Sequence, residues 1–337
     1  MITKKRIIIF VLITIVASLW ILSWNLSPQK DFTYGVSFSR FHSDELKLDW
    51  KKTYLAILDD LKVRHLRLTA HWPLTEPQKG IYNFSELDFE IREAEKRNAT
   101  VILAVGHRLP GWPECHTPDW VMPLSSDQHK PELLKYIETV VKRYKDSPAI
   151  QYWQVENEPF LHFFGQASCE MHNEKSKEIL KEEIDLVHRL DPVHPVLVTD
   201  SGEFGTWLEA YNSGDVFGTS VYLYVWWRNF LGPIRYPITP AFFRIKHSIV
   251  RLIYGTKPSI IIELSGEPWL LQPVVDTPLE IQLERMGIDK FNEMIDISTK
   301  VGFGTSYLWG AEWWYWMKQN GHPEFWNRAK ELYKNSP

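Results

Sequence analysis

Two short stretches decide the fold expected of this chain: Gln154–Pro159, which reads QVENEP, and Pro258–Glu263, which reads PSIIIE. Each contains an apolar, strand-like run that leads into a glutamate, Glu158 in the first and Glu263 in the second. About three βα units, each of about 30 residues, fit between the two glutamates. In a closed parallel barrel the carboxyl ends of all strands meet at one face. The spacing therefore predicts two carboxylates that lie together at that face.

The rest of the sequence alternates in the same way between strand-like and helix-like segments. We expect strands over residues 34–39, 63–69, 100–105, 150–155, 195–199, 216–221, 259–264 and 304–309. Helical patterns lie near residues 48–61, 84–98, 131–145, 175–190, 239–254, 278–301 and 323–333. Eight strands that alternate with helices predict a (β/α)8 TIM barrel. An open doubly wound sheet is the rival, and the lack of a Gly-rich loop after the first strand disfavours it.

The amino terminus differs from the rest of the chain. A basic cytoplasmic tail (residues 1–6) is expected before an uncharged run over residues 7–24, which at 1.5 Å per residue nearly spans a ~30 Å hydrocarbon core. We interpret residues 7–24 as a single transmembrane signal-anchor, residues 25–33 as a tether and residues 34–337 as the barrel domain. The basic tail would then place the barrel outside the cytoplasm. A cleaved signal peptide with a secreted barrel is the alternative.

Composition excludes some functions and favours others. The net charge of −4 gives no indication of nucleic-acid binding, whereas 16 Trp residues offer flat apolar faces that suit either sugar rings or a protein core. No His-Glu-x-x-His or Cys-x-x-Cys array occurs, so neither a metal nor another cofactor is expected. The two cysteines, Cys115 and Cys169, fall in the loops after strands 3 and 4. They form a possible disulfide in an oxidising compartment, or remain two unrelated thiols.

A pair of carboxyl groups at one barrel face can cleave a glycosidic bond. Glu158 would be the proton donor, because burial near aromatic residues raises the pKa of a carboxyl group. Glu263 ends a run of three isoleucines, where an unpaired charge would be costly. Two competitors remain open: Glu156 shares a strand face with Glu158, and Glu267 lies in the loop just beyond Glu263.

These motifs resemble the clan A glycoside hydrolases, a cellulase-like superfamily of retaining (β/α)8 enzymes, over nearly all of residues 34–333. Asn157 and Glu158 match the Asn-Glu pair that ends strand 4 of that clan, in which the glutamate is the acid/base. Glu263 matches the nucleophile at the end of strand 7. Many clan members have glycine two residues after the nucleophile, whereas this chain has Ser265 there.

The same resemblance implies a set of supporting residues. Arg67 on strand 2 would support the nucleophile, and Tyr222 on strand 6 would hydrogen-bond to it, with Tyr224 as an alternative. Trp309 on strand 8 would form the floor of the sugar subsite, and His107 matches more weakly. Trp112 falls in a segment expected to build the wall of the substrate cleft, and Glu267 in a loop expected to build a subsite.

The sequence thus predicts a membrane-attached glycosidase that hydrolyses the O-glycosidic bonds of a β-linked oligo- or polysaccharide by double displacement. Two other functions remain open: a catalytically silent glycan-binding barrel held at the membrane, and a transglycosylase that uses the same glutamates. The expected partners are a carbohydrate substrate and, through the amino-terminal segment, the membrane. The sequence does not indicate an oligomeric state.

Overall fold

The computed structural model describes residues 26–111, 114–161, 176–226 and 232–334. Eight parallel strands close into a barrel in the order β1-β10-β9-β6-β5-β4-β3-β2, and β7 and β8 form a separate antiparallel pair. The barrel strands are β1 (Thr33–Ser37), β2 (His65–Thr69), β3 (Thr100–Val105), β4 (Ile150–Val155), β5 (Val196–Asp200), β6 (Val216–Val221), β9 (Ser259–Ser265) and β10 (Thr305–Trp309), and the pair is β7 (Tyr224–Trp226) and β8 (Pro233–Arg235).

Helices connect the strands along the outside of the barrel, as the alternating pattern predicts. They are α1 (Arg40–Glu45), α2 (Trp50–Asp59), α3 (Trp72–Thr75), α4 (Ser85–Glu95), α5 (Ser126–Tyr144), α6 (Ser176–Leu190), α7 (Leu208–Ser213), α8 (Pro240–Tyr254), α9 (Leu279–Arg285), α10 (Ile288–Val301), α11 (Ala311–Gln319) and α12 (Glu324–Lys334). A short 3₁₀ turn covers Val274–Asp276. The described residues therefore have the (β/α)8 architecture that the sequence predicts.

Each of the eight predicted barrel strands is present, within two residues at either end. These strands are buried because side chains fill the barrel on one face and helices cover the other. Their apolar runs, such as Ile260–Ile262, are therefore continuous rather than alternating. The barrel begins slightly earlier than predicted, since β1 starts at Thr33 and the preceding Phe32 packs in the core.

One helix prediction was wrong. The single helix expected over residues 278–301 is two helices, α9 and α10. Met286 leaves helical geometry and is fully buried, and Gly287 then begins α10 as an extended N-cap. The short helices α1, α3 and α7 were not predicted, and neither was α11, which follows directly on β10. Three of its nine residues are tryptophans, and Trp313 and Trp314 are fully buried, so that their burial outweighs a modest helix propensity.

The apolar run over residues 7–24, predicted as a signal-anchor, lies outside the described residues. Among the helices that the structure does describe, none is both long enough and apolar enough to cross a membrane.

Candidate active site

The chain leaves β4 in an unusual backbone conformation. Both Glu156 and Glu158 have positive φ angles, 60° and 47°. Residues other than glycine rarely adopt this left-handed region, and such strain concentrates at functional sites. The two turns direct the carboxyl groups of the two glutamates to different surroundings, although alternation alone would place both side chains on one face.

Glu158 lies at the mouth of the barrel and is enclosed by polar groups. Its Oε1 accepts a hydrogen bond of 2.7 Å from Ser220 Oγ, and its backbone N–H donates to Thr199 Oγ1 at 2.8 Å. Burial raises the pKa of the Glu158 carboxyl well above its usual value, and the negative charges of Glu263 and Glu114 add to that effect. The environment therefore favours the protonated form of Glu158.

Glu263 is surrounded by hydrogen-bond donors instead. Its Oε2 lies 2.7 Å from Arg67 Nη1, and its Oε1 accepts a hydrogen bond of 2.5 Å from the Tyr222 hydroxyl. Arg67 is completely buried on β2, so it brings an unscreened positive charge to this position. Burial and the charge of Glu263 raise the pKa of Tyr222 well above its usual value, which keeps the phenol a donor.

Arg67 links the two carboxyl-bearing strands. Besides Glu263 on β9, its guanidinium donates to Gln154 Oε1 at 2.8 Å and to Asn157 Oδ1 at 2.7 Å, at the end of β4. A guanidinium offers its donors in a fixed planar fork. Arg67 therefore fixes Asn157, the residue before Glu158, relative to Glu263.

The register between β6 and β9 is a second reason why Glu158 lies close to Glu263. Ser220 on β6 pairs in parallel register with Glu263 on β9. Because the hydroxyl of Ser220 donates to Glu158, the two glutamates contact the same short segment of sheet. The structure thus brings together Arg67, Asn157, Glu158, Tyr222 and Glu263.

A third carboxyl group, which the sequence analysis missed, belongs to the same cluster. Glu114, in the loop after β3, lies 2.6 Å from Arg108 Nη2 and within 3.5 Å of Asn157 Nδ2. Arg108 Nη1 also donates to the backbone carbonyl of Glu158 at 2.8 Å. Burial raises the pKa of Glu114, and Arg108 opposes that shift. The sequence indicated this carboxyl group only through the charged residues in the loop that follows β3, a buried strand.

The competitor Glu156 binds backbone instead of facing the barrel mouth. Its two carboxyl oxygens accept hydrogen bonds from the backbone N–H groups of His107 and Arg108, at 2.6 and 2.7 Å. A Cβ atom at position 106 would lie only 2.4 Å from Glu156 Oε1, so glycine is the residue that fits there. Glu156 therefore fixes the start of the loop that carries Arg108 and Glu114.

The other competitor, Glu267, also has structural partners. Its Oε1 accepts a hydrogen bond of 2.5 Å from Trp309 Nε1, and its Oε2 lies 2.7 Å from His42 Nε2. His42 stacks on Trp309 with ring centroids 5.9 Å apart. Although burial alone would lower the pKa of His42, Glu267 and Glu45 together raise it well above its usual value. Glu267 thus orients the Trp309 indole at the end of β10.

Two further predicted residues have other surroundings. The His107 ring lies 2.8 Å from Thr117 Oγ1 and packs edge-on against His129, with centroids 4.6 Å apart. Tyr224, the alternative to Tyr222, hydrogen-bonds to Glu293 on α10. Of the two tyrosines, the structure therefore brings Tyr222, directly after β6, to Glu263, whereas Tyr224 lies on β7.

Trp112 and Cys169 lie outside the described residues. Cys115 is disulfide-bonded and forms an isolated antiparallel bridge with Arg108. The loop that carries Glu114 is therefore held at Cys115. Its pairing with Cys169 stays a prediction. In the parts of the chain that the structure describes, no group of three or more His, Cys, Asp or Glu side chains is arranged to hold a metal ion.

Comparison with known proteins identifies related sequences. The model of glycosyl hydrolase family 10 matches residues 68–176, which is less than half of the chain. "Beta-galactosidase Pbg" of Clostridium perfringens is 26% identical over 151 residues, covering 37% of this chain and 21% of the relative. The chain thus spans about a fifth of the length of the curated relatives that it matches.

Solved structures show the same fold. A β-galactosidase from the Antarctic haloarchaeon Halorubrum lacusprofundi superimposes with a TM-score of 0.57 and 16% identity, over 82% of this chain and 52% of that one. A family 10 endoxylanase from a sugarcane soil metagenome gives 0.53 and 15%, over 83% and 86%. Together with the family match, these likenesses confirm that the chain resembles the clan A glycoside hydrolases.

Proposed function

We propose that this protein is a retaining glycoside hydrolase that acts on a β-linked oligo- or polysaccharide. The observation that carries the proposal is the contrast between two carboxyl groups at the barrel mouth. The surroundings of Glu158 favour a protonated acid, whereas Arg67 and Tyr222 both donate to Glu263. Retaining glycosidases need one carboxyl group of each kind.

In the proposed mechanism the Glu263 carboxylate attacks the anomeric carbon while the bond from that carbon to the leaving oxygen breaks. Glu158 gives its proton to the departing oxygen, so that a neutral alcohol leaves and a glycosyl ester of Glu263 forms. Glu158, now ionised, then takes a proton from water as the water attacks the same carbon. The sugar is released with its original configuration, and both glutamates regain their starting protonation.

The supporting residues have distinct parts in this mechanism. Arg67 and Tyr222 orient the nucleophile and balance its charge before attack. Trp309, oriented by Glu267, offers an indole face to the sugar. Arg67 fixes Asn157 through its Oδ1, and the Nδ2 group has one long contact, of 3.5 Å, with Glu114. The second N–H of that amide would donate to a sugar hydroxyl.

The test is to assay the full chain in detergent on aryl β-glycosides and β-linked polysaccharides. Since the relatives include proteins named β-galactosidase and endoxylanase, galactosides and xylan come first. The key variants are Glu158→Ala and Glu263→Ala. Glu267→Gln tests the rival nucleophile, and Glu280→Gln, at an exposed glutamate on α9, is the control. We expect each alanine variant to lose about 10²–10⁴-fold or more in turnover, because it lacks the proton donor or the nucleophile.

Added azide distinguishes the two roles. In Glu158→Ala, azide should attack the glycosyl-enzyme from the vacated side and give a β-glycosyl azide. In Glu263→Ala, azide should displace the leaving group directly and give an α-glycosyl azide. An α-glycosyl azide from Glu158→Ala and a β-glycosyl azide from Glu263→Ala would show that the two glutamates have the opposite roles. Normal turnover by Glu263→Ala together with an inactive Glu267→Gln would move the nucleophile to Glu267.

The two alternatives give different products. A transglycosylase would form longer oligosaccharides from the same substrate, and the glutamate variants would abolish that reaction as well. A silent glycan-binding barrel would retain a sugar without releasing product. Its affinity for that sugar would be similar in the parent protein and in Glu158→Ala.

A further inference from the structure

The outer face of α8 exposes an unusual amount of apolar surface. Ile245, Ile249, Leu252 and Ile253, which we call the α8 apolar stripe, follow one another at intervals of four, three and one residues and so share one face of the helix. Leu252 is 87% exposed and Ile253 55%. The opposite face packs on the barrel through residues such as Phe243.

This concentration is not a general property of the surface. Among the described residues, five of the eleven exposed large apolar side chains belong to α8, and the others lie singly or in pairs elsewhere. Soluble proteins rarely leave contiguous apolar patches uncovered, and patches of this kind mark interaction sites. We therefore expect a partner to cover the α8 apolar stripe.

The charge on α8 indicates what kind of partner. The helix contains two arginines, one lysine and no aspartate or glutamate. Arg244 and Lys246 donate to backbone carbonyl groups elsewhere in the protein. Arg251 is exposed beside Leu252, donates to Thr256 Oγ1 at 3.3 Å and, within the part of the chain that the structure describes, forms no ion pair. A helix with an apolar stripe, an exposed arginine next to it and no acidic residue fits the interface of an anionic bilayer.

The start of the described chain lies against the same helix. Arg244 Nη2 of α8 donates to the backbone carbonyl of Ser27 at 3.3 Å, and the N–H of Gln29 donates to Thr299 O at the end of α10. Trp24, the last residue of the predicted signal-anchor, precedes Ser27 by three residues, which span at most about 11 Å. A membrane-inserted segment that ends at Trp24 would therefore hold α8 close to the bilayer.

We propose that α8 lies on the membrane surface, with its apolar stripe at the boundary between headgroups and acyl chains and Arg251 among anionic phosphates. This contact would be a second attachment beside the amino-terminal segment. The proposal rests on the predicted signal-anchor and is independent of the enzymatic activity. It concerns lipid rather than a protein partner, because both the charge and the position of the anchor favour lipid.

Electron paramagnetic resonance on the full chain tests the proposal. The chain is reconstituted in nanodiscs of phosphatidylcholine and phosphatidylglycerol, with one nitroxide attached at Leu252→Cys. The matched control is Met122→Cys, a 67% exposed residue between β3 and α5, away from α8. Power saturation compares access by oxygen, which concentrates in lipid, with access by a water-soluble nickel chelate.

We expect the label at residue 252 to have an oxygen-to-nickel accessibility ratio several-fold higher than the label at residue 122. Adding Arg251→Glu, or omitting phosphatidylglycerol, should lower that ratio while the chain still co-elutes with the disc. Equal nickel access at both labels in co-eluting chains would overturn the proposal. A label at residue 252 shielded from both reagents would also overturn it, because protein, from a second copy or from residues 7–24, would then cover the stripe. A chain that does not co-elute with the disc would remove the anchor on which the proposal rests.

Discussion

At the scale of single residues, the site separates two glutamates by their neighbours rather than by their depth. A hydroxyl group is the side-chain donor to Glu158, which has two other carboxyl groups nearby, whereas an arginine and a phenol donate to Glu263. Such differences in environment let two identical side chains take opposite roles as acid and nucleophile.

The neighbours of Glu158 predict two opposite shifts in the pH profile. Ser220→Ala removes a hydrogen bond that lowers the pKa of Glu158, whereas Glu114→Gln removes a negative charge that raises it. The alkaline limb of kcat/KM reports the proton donor of the free enzyme. We therefore expect this limb to move to higher pH in Ser220→Ala and to lower pH in Glu114→Gln. Profiles measured on an aryl glycoside with a poor leaving group check this, and shifts in the same direction would contradict it.

Much of the candidate site could be predicted from the sequence, because the ends of apolar strands can be located in it. Glu158 and Tyr222 closely follow an apolar strand, and Arg67 and Glu263 lie two residues before the end of one. Parallel strands direct such residues to one face. Glu114 was missed because it lies in an irregular loop, where no periodicity indicates the direction of a side chain. The partners of Glu156 were equally unreadable, since they depend on positive φ angles after β4.

At the scale of elements, the strands of the barrel were easier to predict than its helices. Strands buried on both faces are continuous apolar runs between polar turns, and few other structures produce that pattern. Where a helix begins or ends depends on the balance between helix propensity and the burial of individual side chains. The break between α9 and α10 depends on burial of Met286, and α11 depends on its tryptophans, neither of which a periodic pattern reveals.

A buried carboxyl group on α4 makes the stability of the protein depend on pH. Glu90 is 5% exposed, and burial raises its pKa from 4.5 to about 8. Between those pH values the unfolded chain releases this proton while the folded chain keeps it, so the free energy of unfolding falls as pH rises. Glu90→Gln lacks this loss. We expect the stability of the variant relative to the parent to increase from pH 5 to pH 8.

Chemical denaturation of the full chain at the two pH values measures this difference. The matched control is Glu280→Gln, an exposed glutamate at the start of α9. Surface substitutions usually change stability by no more than about 0.5 kcal/mol, so the control should differ little from the parent at either pH. A constant difference between Glu90→Gln and the parent would show that Glu90 titrates normally in the folded protein.

At the scale of the whole molecule, we propose that the barrel is attached to a membrane with its catalytic domain outside the cytoplasm. The full chain should stay in the membrane pellet after alkaline carbonate extraction. Ile15→Arg places a charge at the middle of the run over residues 7–24, which costs about 2.5–3.5 kcal/mol on insertion scales. We expect this variant to move towards the soluble fraction and the matched control Ile15→Leu to stay in the pellet. Equal release of both variants would contradict the anchor.

The direction of α8 determines what such a protein could reach. Helices of a parallel barrel run alongside its strands, so a barrel that rests on one helix lies on its side. Its mouth then opens parallel to the lipid surface, neither towards the bilayer nor straight away from it. Polysaccharide chains that run along the envelope would reach the glutamates from the side of the protein, at the barrel mouth. The protein would search for them by lateral diffusion in two dimensions, at a fixed height set by the radius of its own barrel.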